Sequence, residues 1–210
     1  SESECYPAKL VHGHIQWLID HGVGTIFYPS VFFERRETEC AQNHYNCPMV
    51  ISYPENIKNN VEDVAGGRVR FIHPFLAFTD ERTVTSRLIE ICRGEWGIPA
   101  REVRAAARAA WAEQIAAKED IRREGSAMLS RMRAAGRQGI VLAGRPYHVD
   151  PEINHGIPEM IASYGLSVFT EDSLPARGAG GRRLRVLDQW TYHSRMYDAA
   201  EFVGASDDLE

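Results

Sequence analysis

Residues 99–135 constrain the fold most. The stretch is rich in Ala, Arg and Glu, with Val103, Ala107, Trp111, Ile115, Ile121, Met128, Leu129 and Met132 recurring at helical spacing. It predicts one long helix, bent near Gly125. That helix divides the chain into a first lobe at residues 1–98, which holds Cys5 and Cys47, the helix itself at 99–136, and a second lobe at 137–210 that reads as truncated at its C-terminus.

Each lobe alternates short apolar runs with helical patterns. Leu10, Val11, Ile15, Leu18 and Ile19 predict a helix from Pro7 to His21, and Thr25 to Pro29 reads as a short strand. Met49 to Tyr53 reads as a second strand, with Pro54 opening a helix to about Val61. Val69 to Phe78 is a further apolar run, interrupted by Pro74, after which Asp80 caps a helix closed by Gly94 and Gly97. In the second lobe, Gly139 to Ala143 and Ser167 to Thr170 read as strands around a helix from about Ile153 to Tyr164, and Arg177 to Arg182 as a glycine loop. The expected fold is α/β: two Rossmann-like βα lobes with parallel sheets and a long Ala-rich helix.

A chain of 210 residues buries roughly 70% of its unfolded surface and needs no disulfide to fold. With 24 basic against 29 acidic residues, it carries a net charge of −5, which argues against a nucleic-acid partner. No apolar run reaches membrane length and no secretory segment stands out, so a cytoplasmic setting is expected. The absence of an initial methionine, and a helix near Tyr197 to Val203 with no clear closing element after it, suggest a domain excised from a longer protein.

Four cysteines are present, and two stand beside prolines at predicted element starts: Cys5 in Cys5-Tyr6-Pro7 and Cys47 in Asn46-Cys47-Pro48. A thiolate at a helix start is favoured by unpaired N–H groups and the positive end of the macrodipole, which suits it to a soft metal. The separation of Cys5 and Cys47 fits no Cys-x-x-Cys zinc or ferredoxin pattern, so spacing alone leaves a buried or incidental thiol as an equal reading. Cys40 lies in a polar stretch and reads as an exposed thiol, and Cys92, beside Leu88 and Ile89, reads as core.

Other polar residues carry chemistry of their own. His12 and His14 point apart on a helix, so at most one acts; His12 and Lys9 lie close enough to Cys5 to tune a bound centre, although Lys9 reads more simply as a solvated surface lysine. Glu34 follows a strand's carboxyl end, where open α/β sheets place their crevices. Arg145 and His148 occupy the same kind of edge in the second lobe, where an arginine fork holds a carboxylate or phosphate and a histidine moves a proton. Asn154 and His155 open the helix that follows. A structurally tied turn capped by Asp150 or Asn154 explains this edge equally well. No Gly-x-x-x-x-Gly-Lys-Ser/Thr or Gly-x-Gly-x-x-Gly phosphate loop is present.

The segments Cys5 to His14, Ile26 to Pro29, Tyr45 to Pro48, Leu142 to Pro151, Ile153 to His155, Thr170 to Ser173 and Leu187 to Tyr192 together resemble the acyl-CoA dehydratase activase-related family. That family is related to 2-hydroxyacyl-CoA dehydratase subunits and double-cubane-cluster reductases, and is often fused to an ATP-hydrolysing activase. The resemblance implies a [4Fe–4S] cluster that passes single electrons, driven by ATP, to an acyl-CoA or similar substrate in anaerobic metabolism. It implies Cys5 and Cys47 as metal ligands, with a further cysteine beyond the helix near Tyr197. Glu34, Arg145 and His148 are the catalytic candidates, and Lys9 and His12 the residues beside the cofactor. Two other readings stand beside this one: an interaction domain that docks an activase, and a metal-independent α/β enzyme acting through Arg145, His148 and His155.

Overall fold

The computed structural model of the chain describes residues 5–175 and 184–210; the glycine loop expected at residues 177–182 lies outside them. The fold is mixed α/β with small parallel sheets and one long helix, as expected. The chain forms two compact units, Ser1–Arg35 with Tyr45–Ala105 and Arg36–His44 with Ala106–Glu210.

The first unit contains α1 (Tyr6–Asp20), β1 (Thr25–Phe27), β2 (Ser30–Phe33), α2 (Pro48–Asn60), α3 (Glu62–Ala65), β3 (Arg70–Ile72), β4 (Phe75–Ala77) and α4 (Glu81–Trp96). Strand β1 pairs in parallel with β3, Thr25 opposite Arg70, and β2 pairs in parallel with β4, Ser30 opposite Phe75. The same register carried across the gap sets Pro29 opposite Pro74. A proline has no N–H to give a ladder, so two facing prolines split one strand pair into two short sheets. Pairing continues on either side of the break, with Tyr28 N–H donating to the Ile72 carbonyl at 2.8 Å and Ser30 N–H to the Pro74 carbonyl at 2.9 Å. Ile15 and Ile19 of α1 pack with Ile26, Ile57, Val64 and Val69 to form the core on these strands.

Residues 49–53 are helical, contrary to the strand expected there. Cys47 is the N-cap of α2 and Pro48 its first residue, and Pro54 sits inside the helix. Buried Tyr53 and Ile57 stand four apart on one face, a helical period that the β-branched run Val50-Ile51 masks in the sequence. Pro54 is itself fully buried, so packing offsets the backbone bond it removes. Asp80 caps α4 as expected, its carboxylate accepting from Thr83 N–H at 2.8 Å.

Helix α5 (Ala100–Ala134) is the long helix expected. Of its stripe, Val103, Leu129 and Met132 are buried, whereas Ile121 and Met128 are exposed. The second unit continues with β5 (Gly139–Leu142), a 3₁₀ turn (Pro146–Val149), α6 (Pro151–Asn154), α7 (Ile157–Ser163), β6 (Ser167–Thr170) and α8 (Thr191–Gly204). The single helix expected from Ile153 to Tyr164 is broken by His155 and Gly156, both left-handed at φ 53° and 78°. Strands β5 and β6 pair in parallel, Gly139 opposite Ser167. The last residues add a third partner that the sequence did not suggest: Gly139 N–H donates to the Asp208 carbonyl at 2.9 Å, and Val141 N–H to the Glu210 carbonyl at 2.7 Å. Leu129, Met132, Phe169, Leu174, Ala199 and Leu209 form the core beneath them.

Gly125 is required for close approach. It is buried, and a Cβ there would overlap the Ser173 carbonyl oxygen, whereas a Cβ on Gly94 in α4 meets no atom within 4 Å. Gly125→Ala is therefore expected to cost about 1–3 kcal/mol, and Gly94→Ala to add a few tenths to about 1 kcal/mol. Thermal unfolding followed by circular dichroism should show a lowered midpoint for the first and an equal or raised one for the second.

Candidate functional site

Chain direction brings both candidate cysteines to one edge of the first unit. Helix α1 turns directly into β1, so its N-terminus returns toward the strands' carboxyl ends. Its 15 residues rise about 22 Å, comparable with the roughly 30 Å of chain from Thr25 to Phe33. Helix α2 starts from that same edge, because Asn46 N–H donates to the Phe32 carbonyl at 2.9 Å. Cys5 and Cys47 are the N-caps of these two helices, each followed by a proline in the first turn. Neither thiol caps its own helix, so both are left to other chemistry.

One buried phenol joins the two helices. Tyr53, 7% exposed, places its hydroxyl 3.7 Å from Cys5 Sγ. Burial, then the hydrogen bond to Cys5, then the charges of Cys5, Cys47 and Tyr28 push the Tyr53 phenol well above its ordinary range. Burial likewise pushes the neighbouring Tyr28 phenol up to about 12. Two soft sulfur donors at two positive helix ends are a fitting part of a ligand set for an iron–sulfur centre or another soft metal. They are not a whole set: among the described residues, no group of three or more His, Cys, Asp or Glu side chains is placed to hold a metal ion. Cys40 is exposed in the second unit and Cys92 is half-buried on α4.

Glu34 and Asn46 hold the Cys47 end. Asn46, 4% exposed, donates through Nδ2 to Glu34 Oε1 at 3.0 Å and accepts Cys47 N–H on Oδ1 at 2.9 Å. Glu34 lies at the carboxyl end of β2, as expected, where it anchors this turn. Phe32, Phe33 and Tyr45 pack on one another beside it in the chain, with ring centroids 5.0–5.5 Å apart. On α1, Lys9 and His12 follow Cys5 at helical spacing along one face. Lys9 is exposed. The His12 ring lies 2.9 Å from the Ala8 carbonyl through Nδ1; a carbonyl only accepts, so Nδ1 carries the proton and Nε2 is left to face outward chemistry.

The second unit places Arg145 and His148 just past β5, as the sequence suggested, and ties them to each other. Arg145 N–H donates to His148 Nδ1 at 3.0 Å, Asp150 accepts Glu152 N–H at 2.9 Å, and Asn154 accepts Gly156 N–H at 2.9 Å. That is a braced turn, with His155 exposed beside it. The Arg145 guanidinium lies 5.7 Å from the Tyr192 ring centroid. Burial, then the charge of Arg145, holds His193 below its ordinary value, against the pull of Asp188. Behind this, Arg195 bridges Glu171 at 3.0 Å and Asp172 at 3.4 Å. Burial pushes Glu171 up, with Arg195 opposing.

The sequence reading gave Tyr53, Asn46 and His193 no functional role. Tyr53 was hidden by the strand assignment of residues 49–53, since a helix starting at Pro48 is what carries its ring back to α1. Asn46 was visible as the residue preceding Cys47-Pro48, where an Asn side chain commonly accepts a nearby N–H.

Two outcomes follow from these contacts. Asn46→Ala removes one bond to Glu34 and the acceptor of Cys47 N–H, and should cost about 1–3 kcal/mol in urea unfolding. Glu37 is pushed up by burial, but its hydrogen bond to Lys118 and the charges of Lys118, Arg195 and Arg122 outweigh that and hold it below its ordinary value. Its folded value lies below its unfolded one, so its stabilisation is present above the ordinary carboxylate range and lost as pH falls through the folded value. Glu37→Gln should cost about 1–2 kcal/mol at neutral pH, since Lys118 is partly exposed, and the deficit should shrink in thermal unfolding below about pH 4.

A family model described as the CoA enzyme activase uncharacterised domain matches residues 1–174, a span that includes Cys5, Cys47, Glu34, Arg145 and His148. No curated protein and no solved structure matches the chain.

Proposed function

Because the chain belongs to the family of CoA enzyme activase uncharacterised domains, we propose that its first unit supplies two thiolate ligands, Cys5 and Cys47, to a [4Fe–4S] cluster in an activase-driven electron-transfer system. The observation that carries this reading is that two N-cap cysteines stand at one edge of the first unit, with the buried Tyr53 of one helix in contact with the thiol of the other. A [4Fe–4S] cluster, when bound, supplies reversible one-electron storage at low potential.

The chain's own residues do the rest. Cys5 and Cys47 stand at the N-termini of α1 and α2, where the positive end of each macrodipole lies. Asn46 holds the Cys47 backbone, and the rings of Phe32, Phe33 and Tyr45 pack on one another in the strand and turn that lead to it. Lys9 and His12 extend the Cys5 face, where they would balance the charge of a bound centre. The remaining ligands come from residues outside this pair, on a partner subunit or a further segment of a longer protein. The electron's source in this reading is an ATP-hydrolysing activase, and its destination an acyl-CoA or similar substrate. No helix among the described residues is long and apolar enough to cross a membrane.

A second reading is favoured by one observation, that the described residues group no three metal ligands. In it, the chain is a docking domain for an activase, and the two thiols are structural. Arg145 and His148 are bound into a braced turn, which supports the metal-independent enzyme reading less well.

Anaerobic reconstitution with iron and sulfide separates these. The cluster reading expects iron and acid-labile sulfide in the protein, lost in Cys5→Ala and in Cys47→Ala. Iron content equal in wild type and both variants would remove the ligand assignment, and a colourless protein that binds an activase would favour docking.

A further inference from the structure

We propose that Tyr53 is the outer-sphere hydrogen-bond donor of the Cys5–Cys47 thiol site, a positioning residue that couples the two ligand helices and tunes whichever soft metal the thiolates hold. This deepens the reading above and rests on it for the identity of the natural group, but not for the existence of the site.

The geometry leaves Tyr53 little else to do with its hydroxyl. The residue is 7% exposed, and its hydroxyl lies 3.7 Å from Cys5 Sγ. In the free thiol either atom can donate, but once Cys5 is a thiolate it only accepts, so ligation turns the contact into O–H donation to sulfur. Tyr53 also rides on α2, whose N-cap is Cys47, so the helix backbone fixes its distance from the second thiol. A single side chain therefore links the helix that carries one ligand to the sulfur of the other. Donation to a ligating sulfur lowers the energy of its lone pairs and holds the ligand in orientation, and losing such a partner typically weakens a metal about 10- to 100-fold.

The test uses the full chain, reduced and free of metal, titrated with Cd²⁺ and read by sulfur-to-cadmium charge-transfer absorption. Wild type, Cys5→Ala, Cys47→Ala, Tyr53→Phe and Tyr28→Phe are compared. Tyr28→Phe removes a hydroxyl from a half-buried ring on the same core and controls for loosened packing. The proposal expects Cd²⁺ binding in wild type that either cysteine variant abolishes. In Tyr53→Phe it expects binding weaker by about tenfold or more, with the absorption moved to longer wavelength because the sulfur lone pairs are no longer held down. Tyr28→Phe should match wild type in both. Wild-type affinity and absorption in Tyr53→Phe, an equal loss in Tyr28→Phe, or no Cd²⁺ binding in wild type would each overturn it. The cluster reading fails separately: a protein that takes up no iron yet shows the Tyr53→Phe changes keeps this inference and loses that one, and a protein that loads iron with Tyr53→Phe silent does the reverse.

Discussion

One parallel pairing, residues 25–33 against residues 70–77, sets the direction of everything in the first unit. Because the strands run the same way, the chain needs a crossover between them, and α2 occupies it. Because α1 enters the first strand through a tight turn, it too must run back along the sheet. Both helices thus start at the strands' carboxyl edge, where open α/β sheets place their binding crevices. Cys5 and Cys47 owe their place at one edge to that direction of travel and not to any spacing in the sequence. The facing prolines, Pro29 and Pro74, interrupt the ladder without shifting its register, and the one-residue shift comes later, between Val31 and Phe33.

At that edge the local chemistry has a consistent sign. Two helix N-termini present positive partial charge, the prolines in each first turn waste no donor that the helix would otherwise use, and the Tyr53 hydroxyl is a further donor. The helix ends and the hydroxyl are the groups of this edge that an anionic centre would meet. The second unit differs, because its charged groups are largely spent on each other: Arg195 on Glu171 and Asp172, Lys118 and Arg122 on Glu37, Arg133 on Asp208. Those pairs hold α5 and α8 to the chain around them, and His148 is absorbed into the turn after β5.

Much of the framework was legible from periodicity. The α1, α4 and α5 helices, β1, β5 and β6, and the Asp80 cap all follow from apolar spacing and punctuation residues. The failures have physical causes. Residues 49–53 combine an apolar, β-branched run with a following proline, which is the local signature of a strand before a helix; burial of Tyr53, Pro54 and Ile57 on one face overrides it. The bridge that Asp208–Glu210 makes to Gly139 and Val141 is a long-range event that no local pattern records. Of the candidate site, the proline-flanked cysteines could be seen in the sequence. Their common phenol could not, because Tyr53 and Cys5 meet only through the packing of α1 on α2.

The central claim is that Cys5 and Cys47 form one site, and a trivalent arsenical tests it most directly, since arsenic in phenylarsine oxide is held firmly only where two thiols reach it together. Intact mass spectrometry of the reduced chain should show one arsenical per molecule, lost in Cys5→Ala and equally in Cys47→Ala, and retained when Cys40 or Cys92 is replaced. An arsenical that survives either of the first two substitutions, or a wild-type chain that takes up none, would contradict the account.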